Sequence, residues 1–244
     1  MQKYLMDLHI HSVLSPCADI TMTPGNIVET AAQKGINIIS ITDHNSAKNI
    51  ASALEIAKEK DIYLIPGIEV QSKEEIHLLS YFASLDDLNN YSNIIYNNLP
   101  NIKNDEEKFG YQIVVDKKDT FVKKEEKLLL NSTDLSINRL VDLTHKNNGI
   151  CVPSHVDRSF GLIKNLGFIP DNLDISFIEM SSNKSITHYY KTFPYLKKYS
   201  FLKNSDSHYL NQIKPTMEII LPKNISFKEL FKYFKTHNNS EYIL

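Results

Sequence analysis

The stretch MDLHIHS at Met6–Ser12 has the pattern of a β-strand, and the rest of the fold can be built outward from it. His9 and His11 stand two residues apart, and side chains at that spacing on a strand point to the same face. Leu8 and Ile10 are then expected to share the opposite, buried face. Two imidazoles that point the same way are a pair of ligands for Zn, Mn or Fe. The competing interpretation is a half-buried strand that merely contains two histidines.

Size and charge limit the class of protein. The chain has 244 residues, of which 42% are hydrophobic and 23% charged, as suits one fairly large globular domain. We predict a single domain over residues 1–244, with an irregular excursion at about 99–132. The formal net charge of −2 argues against a basic surface for tight duplex binding, but it leaves a small or single-stranded nucleic acid substrate open.

The cysteine count and the N-terminus indicate a compartment. Cys17 and Cys151 are the two cysteines, and they form no disulfide framework, which favours a reducing environment. The N-terminus lacks the basic and apolar regions of a signal peptide, and no apolar run approaches the length of a membrane span. We therefore expect a cytoplasmic protein without membrane contact. The sequence leaves the oligomeric state open.

Apolar runs alternate with helical patterns along the chain. Strands are expected at 36–42, 62–65, 68–70, 75–82, 150–153, 175–180 and 217–221. Helices are expected after the N-caps Thr23, Ser46, Thr133 or Asp134, and Ser226, with a further helix over 85–98. This alternation predicts a βαβ series around a parallel sheet, and so an α/β fold.

Metal-ligating side chains stand at the ends of successive predicted strands. They are His9, His11, His44, Glu69, His77, His155, Asp206 and His208. The carboxyl ends of parallel barrel strands gather on one face, so these side chains can converge. Their number exceeds what one tetrahedral metal needs. It suits a site of two or three metals bridged by a carboxylate such as Glu69. Such a site would hold both the attacking and the leaving oxygen of a displacement at phosphorus.

Several short motifs in order resemble those of the PHP (polymerase and histidinol phosphatase) family. They are DLHIHS at 7–12, ITDHN at 41–45, PGIEV at 66–70, IH at 76–77, PSHVDR at 153–158 and SDSH at 205–208. The resemblance implies a distorted (β/α)7 TIM-like barrel, two or three divalent metals (Zn, Mn or Fe) and phosphoester hydrolysis. It also implies that the eight strand-end residues are the metal ligands.

The loop after the first strand departs from the family pattern. Many members carry Ser-Asp-Gly there, with the aspartate as a ligand, whereas this chain reads SPCAD at 15–19. We predict that Asp19 is the ninth metal ligand. Cys17 is a competitor, since thiolate binds zinc well, and a solvated loop aspartate is the third interpretation.

Some charged residues near the motifs are expected to act around the metals. Arginine is scarce, with only Arg139 and Arg158, and Arg158 follows His155 closely. Arg158 would clamp a substrate phosphoryl oxygen, with a surface salt bridge as the equal alternative. Asp43 is expected to orient a neighbouring imidazole, and Glu179 matches no ligand.

The predicted function is that of a metal-dependent phosphoesterase. The metals would lower the pKa of a bound water, and the resulting hydroxide would attack a small phosphorylated substrate. Arg158 would hold the charge that develops, and Asp206 or His208 would help to move protons. The alternatives are a nuclease acting on short or single-stranded nucleic acid, a metal-dependent C–N hydrolase, and a non-catalytic metal-binding module.

Overall fold

The computed structural model describes residues 1–181, 186–223 and 226–236 as an α/β fold. The strands are β1 (Gln2–Ile10), β2 (Ile38–Ile41), β3 (Tyr63–Leu64), β4 (Gly67–Gln71), β5 (His77–Tyr81), β6 (Ile113–Val115), β7 (Phe121–Lys124), β8 (Ile150–Pro153), β9 (Phe177–Glu179), β10 (Ser200–Leu202) and β11 (Met217–Leu221). The helices are α1 (Pro24–Gln33), α2 (Ile50–Glu59), α3 (Leu85–Asn97), α4 (Glu106–Phe109), α5 (Ile137–Lys146), α6 (Leu162–Leu166), α7 (Ile186–Thr192) and α8 (Phe227–Thr236), with 3₁₀ turns at Pro194–Lys198 and Leu210–Gln212.

The sheets are mixed, so the prediction of one parallel sheet is wrong in part. β1, β2 and β3 run parallel, as do β9 and β10, but β11 runs antiparallel to β1. β5 runs antiparallel to both β4 and β8. The reason is the short turn at 72–76 between β4 and β5, because a parallel return would need a crossover of about a dozen residues.

Isolated backbone contacts link the ends of these separate sheets. His44 bridges Glu69, and Ile10 bridges Ser207, both in parallel orientation. The Val156 amide donates to the Glu179 carbonyl at 2.9 Å. Within the described residues the ladders themselves do not close into a continuous barrel. The predicted ligands therefore lie where one sheet meets the next.

A bulge in β1 separates Leu8 from Ile10. The register of β1 with β2 shifts between Asp7 and Ile10. Leu8 packs in an apolar cluster with α8, whereas Ile10 packs in the cluster that includes α1. The prediction that Leu8 and Ile10 share one face is therefore wrong, because an inserted residue changes which face the next side chain takes.

Helix α8 covers one of the two main apolar clusters. Phe231 lies 5.5 Å from Phe177 and 5.7 Å from Tyr81, measured between ring centroids. Ser226 caps this helix as predicted, because its hydroxyl accepts from the Glu229 amide while Glu229 accepts from the Ser226 amide. Among the residues that the structure describes, no helix is long and apolar enough to cross a membrane.

Two helices, α2 and α5, begin later than the sequence suggests. By contrast, α1 begins at Pro24 with Thr23 as its cap, as predicted. α2 begins at Ile50 and not after Ser46, because the chain at His44 is still held in a strand-like bridge. α5 is capped by Ser136, whose hydroxyl accepts from the Arg139 amide, and not by Thr133 or Asp134.

The segment 99–132 forms a small hairpin that packs on the loop after β1. β6 and β7 pair antiparallel, and the Ile113 amide donates to the Val13 carbonyl at 3.0 Å. Leu14, Val114 and Leu129 share a separate apolar cluster beneath the hairpin. Gly110 has φ +98°, and a Cβ there would lie 2.2 Å from the Pro16 carbonyl oxygen. This close approach holds the hairpin against the loop.

Candidate metal centre

Six imidazoles and two carboxylates come together at one edge of the strands, with His77 at the start and not the end of β5, because β5 runs antiparallel to β4. They belong to His9, His11, His44, His77, His155, His208, Glu69 and Asp206, which we call the Glu69 cluster. Within it, three sets have ligand atoms that all lie within 4.8 Å of one another: His9, His11 and Asp206; His44, Glu69 and His77; and His11, His44 and His208. All eight residues predicted from strand ends are therefore gathered at one place.

Glu69 lies at the centre of the cluster. Its Oε1 lies 3.2 Å from His77 Nδ1, 3.3 Å from His155 Nε2 and 3.4 Å from His9 Nε2. Its Oε2 lies 3.2 Å from His44 Nδ1 and 3.5 Å from His11 Nε2.

These close approaches are not hydrogen bonds at Oε1. Glu69 Oε1 and His77 Nδ1 are buried, and neither has a hydrogen-bond partner among the described residues. Buried polar atoms almost always have partners, and imidazole nitrogens with carboxylate oxygens are donors that Zn, Mn and Fe accept. The donor set and these unpaired atoms therefore fit divalent metals.

Asp206 forms the second carboxylate of the cluster. Its Oδ1 lies 3.0 Å from His11 Nε2 and 3.2 Å from His9 Nε2. Asp206 has a left-handed backbone with φ +51°, which is strained for a residue other than glycine. The preceding residue secures this turn, because the Ser205 amide donates to Asp7 Oδ1 at 3.0 Å.

Glu179, which the sequence left without a role, orients the cluster from behind. His9 Nδ1 lies 3.0 Å from Glu179 Oε1, so the opposite ring nitrogen faces Glu69 and Asp206. The His155 amide and the Asn204 side chain also donate to Glu179, at 2.8 and 2.7 Å. Burial raises the pKa of Glu179, but the charge and hydrogen bond of His9 outweigh it and lower the pKa to about 2. The only signal in the sequence was its position at a strand end.

Asp43 orients His11 through a serine. Its Oδ1 accepts from the Ser15 hydroxyl at 2.7 Å and from the Ser12 amide at 2.7 Å. Because the Ser15 hydroxyl donates to Asp43, it accepts from His11 Nδ1, which lies 3.1 Å away. His11 then presents Nε2 without a proton to the cluster.

Burial sets the protonation of most of these imidazoles. It lowers the pKa of His11 to about 4 and that of His208 to about 2, and it also lowers those of His44 and His77. These rings are neutral at neutral pH, which is the form that binds metal. At His9 burial also lowers the pKa, but Glu179 and Glu69 outweigh it and raise the pKa to about 10.

The two candidates for a ninth ligand lie differently. The Asp19 carboxylate turns back on its own loop, where Oδ1 accepts from the Thr21 amide at 2.9 Å. Asp19 belongs to none of the three-residue ligand sets found among the described residues. Cys17 is exposed and lines a pocket together with Asp206 and His208. The structure thus does not bring the Asp19 carboxylate into the cluster.

Arg158 lies at the open side of the cluster. Its Nη2 contacts Asp206 Oδ2, and 46% of its side chain is exposed. It lines an open pocket of about 660 Å³ with His208 and Lys214. The tight turn after His155, which has φ +26°, delivers Arg158 to this place. Arg158 therefore contacts a candidate metal ligand and also lines the open pocket.

Comparisons with known proteins agree with the sequence motifs. The family model described as PHP domain matches residues 7–194. A 5′-3′ exoribonuclease of Haemophilus influenzae is 36% identical over 81 residues, which are 32% of this chain and 28% of that protein. A phosphoribosyl 1,2-cyclic phosphate 1,2-diphosphodiesterase of Eggerthella lenta is 30% identical over 78 residues, 30% of this chain and 29% of that protein.

A solved structure shares the fold. The lesion-specific endonuclease from Pyrococcus furiosus superposes with a TM-score of 0.69 at 18% identity, over 96% of this chain and 56% of that one. The matched regions span less than a third of the two curated relatives and little more than half of this endonuclease.

Proposed function

Because the chain belongs to the PHP domain family, whose model matches residues 7–194, we propose that it is a metal-dependent phosphoesterase that works at the Glu69 cluster. The observation that carries this proposal is the unpaired Glu69 Oε1, which has three imidazole nitrogens within 3.4 Å and a hydrogen bond from none of them. When bound, divalent metals would supply a nucleophilic water at neutral pH and neutralise phosphoryl charge.

The three ligand sets divide the cluster among two or three metals. His9, His11 and Asp206 form one set, and His44, Glu69 and His77 another. The third set reuses His11 and His44 and adds His208. Imidazole and carboxylate donors suit Zn, Mn and Fe alike, so all three metals are included in the proposal. Asp19 remains our proposed additional ligand, and it would have to turn away from Thr21 to serve.

The remaining site residues would act on the substrate and on protons. Arg158 is half exposed at the pocket and has guanidinium N–H groups beyond the one that contacts Asp206, so it can hold a phosphoryl oxygen. His208 is the most exposed imidazole of the cluster, which places it, with Asp206, where the two can help to move protons between the site and the pocket. Glu179 and Asp43 would hold His9 and His11 in place.

We also propose that the sheets approximate the distorted (β/α)7 TIM-like barrel of the family. The isolated bridges at His44–Glu69 and Ile10–Ser207 support this arrangement, as does the Val156–Glu179 hydrogen bond. They stand where neighbouring barrel strands would pair. The single domain over 1–244, with the excursion at about 99–132, is part of the same proposal.

A nuclease acting on short or single-stranded nucleic acid is the second candidate. The similarity to a 5′-3′ exoribonuclease favours it, and the other relative, a cyclic phosphate diphosphodiesterase, favours a small phosphodiester instead. Both are phosphoesters, so the chemistry of the Glu69 cluster serves either substrate.

Reconstitution tests the proposed function. The protein is stripped with a chelator, reloaded with Mn, Fe or Zn, and assayed against phosphomonoesters, phosphodiesters and short oligonucleotides. We expect bound metal at two or three ions per chain and phosphate release that depends on it. Activity that survives chelation with no metal left, or a loaded protein that cleaves no phosphoester of the panel, would contradict the proposal.

A further inference from the structure

Two exposed tyrosines line pockets near the Glu69 cluster, Tyr209 in the pocket of the cluster itself and Tyr111 in the adjoining one. Tyr209 follows His208 directly and is 50% exposed, and Tyr111, on the hairpin segment, is 51% exposed. Each large aromatic side chain left in water forgoes the free energy of burial, so a pair beside a candidate active site suggests contact with a ligand. The two residues come from segments far apart in the sequence, and tertiary structure alone brings them to one pocket.

Two adjoining pockets, which together we call the cleft, lie between the cluster and these tyrosines. The pocket that contains Arg158, Asp206 and His208 also has Tyr209 and Cys17 in its wall. A second pocket of about 370 Å³ shares Tyr209 and Cys17 and continues to Tyr111. A substrate with its phosphoryl group at the cluster would therefore place its next part against Tyr209 and Tyr111.

The hairpin side of this cleft packs closely against the loop after β1. Gly110 packs so closely on Pro16 that any Cβ would collide with the Pro16 carbonyl oxygen. Lys124 Nζ lies 4.9 Å from the centroid of the Tyr111 ring and covers one of its faces. The opposite face is then the one available to a ligand, and an ordered aromatic ring loses less entropy on binding than a mobile one.

We infer that Tyr209 and Tyr111 form a subsite for a nucleobase, so that the substrate is a nucleoside phosphoester. This inference rests on the proposed function for the position of the phosphoryl group. Tyrosine rings stack on every base because each base has a π-face. The charges agree with such a ligand, because Arg158 and the exposed Lys214 lie on the phosphate side of the cleft while the tyrosine side is uncharged apart from Asp19 and Lys124.

A matched pair of substrates isolates the base. Adenosine 5′-monophosphate and ribose 5-phosphate carry the same sugar and phosphate, and only the first carries a base. On the metal-loaded protein we expect a higher kcat/KM for the nucleotide. Tyr111→Ala and Tyr209→Ala should each lower the ratio of the two kcat/KM values by about 5- to 150-fold, the range for loss of one base–aromatic stack. Tyr→Phe at either position should keep the ratio, because the ring remains.

Phe121→Ala is the control for the hairpin. Phe121 is 58% exposed on β7 of the same segment, and it lines neither pocket of the cleft. This variant should leave the ratio unchanged. Equal kcat/KM values for the two substrates in the wild-type protein, or alanine variants that keep the wild-type ratio, would overturn the inference.

Binding of adenosine separates this inference from the proposed function. Adenosine has no phosphoester, so saturation-transfer NMR on the metal-loaded protein reports its base contacts without turnover. Contact that is lost in Tyr111→Ala and Tyr209→Ala supports the subsite even if no phosphoester is cleaved, in which case the proposed function alone fails. Cleavage of ribose 5-phosphate without any adenosine contact overturns the subsite and leaves the proposed function standing. A 5′-phosphorylated dinucleotide, compared with the mononucleotide, then distinguishes a free nucleotide from a nucleic acid end.

Discussion

Glu69 and Glu179 both contact His9, but the surroundings of their carboxylates differ: one has an oxygen without a hydrogen bond among the described residues, and the other is fully hydrogen-bonded. Glu69 Oε1 makes no hydrogen bond within the described part of the chain, although three imidazole nitrogens lie within 3.4 Å. Glu179 is equally buried, but its oxygens accept from His9, from the His155 amide and from Asn204. A carboxylate whose partners are all protein groups positions those groups, whereas one that is left unpaired among imidazoles is available to a cation.

A third buried glutamate, Glu125, lies outside the candidate metal centre and can be compared with the other two. Glu125 lies in the hairpin segment, contacts Lys48, and accepts from the Tyr96 hydroxyl at 2.8 Å. Among its partners, Tyr96 links the hairpin segment to α3, and Lys48 links it to the loop before α2. The three glutamates should therefore separate into metal binding, ligand positioning and stability, and each substitution below tests one of these roles.

The largest effect is expected from Glu69→Gln. It keeps the shape of the side chain and removes the charge that the surrounding imidazoles share, so metal content and phosphoesterase activity should fall together. The loss of metal affinity should exceed the roughly 10- to 100-fold that is typical when a residue that only hydrogen-bonds to a metal ligand is replaced. Mass spectrometry of bound metal and phosphate release measure it, and Glu107→Gln, at an exposed position, is the control. Full metal content in Glu69→Gln would remove Glu69 from the metal-binding layer.

Arg158→Ala should have the next largest effect. If Arg158 holds a phosphoryl oxygen, its loss should lower kcat/KM by about 10²–10³ while metal content stays unchanged. Arg158→Lys should restore only part of this, because a point charge cannot make two parallel hydrogen bonds. Full activity in Arg158→Ala would make its contact with Asp206 a purely structural ion pair. Activity that falls with bound metal would instead show that Arg158 supports Asp206.

Glu179→Gln should weaken metal binding without abolishing it. Without the charge of Glu179, His9 is held less firmly, and metal affinity should fall by about 10- to 100-fold. Because the effect acts on His9 and not on the substrate, excess metal should restore kcat. Competition with a fluorescent chelator gives the affinity. A kcat that stays low at full metal occupancy would mean that Glu179 does more than position ligands.

Glu125→Ala should change stability alone. It leaves Lys48 and the Tyr96 hydroxyl without their buried acceptor, at a cost of about 1–3 kcal/mol in the free energy of unfolding. Urea denaturation measures this cost. Glu106→Ala is the control in the same segment, since its exposed ion pair with Lys124 should contribute only about 0–1 kcal/mol. A loss of metal in Glu125→Ala would contradict the separation of roles.

Local sequence patterns predicted the candidate ligand residues more accurately than they predicted the strand directions in the sheets. The i, i+2 spacing of His9 and His11 depends on strand geometry alone, and it led to a pair whose Nε2 atoms lie 3.2 Å apart. Strand direction was harder, because the short turn at 72–76 reverses β5, and the apolar run of β5 is the same in either direction. The start of α2 was placed too early: the bridge between His44 and Glu69 and the left-handed Asn45, at φ +50°, hold the chain out of a helical conformation just before Ser46, and α2 begins only at Ile50.

By itself the sequence determined the α/β class, the family motifs and the eight residues that gather at the strand ends, because each depends on residue type and on spacing within a few positions. Only the tertiary structure decided where Glu179, Arg158 and Tyr111 lie relative to the cluster. The His9–Glu179 contact joins residues 170 positions apart, and the Arg158–Asp206 and Tyr111–Tyr209 relationships likewise cross between segments. Such pairings depend on how sheets and loops pack against one another, and local spacing carries no record of that packing.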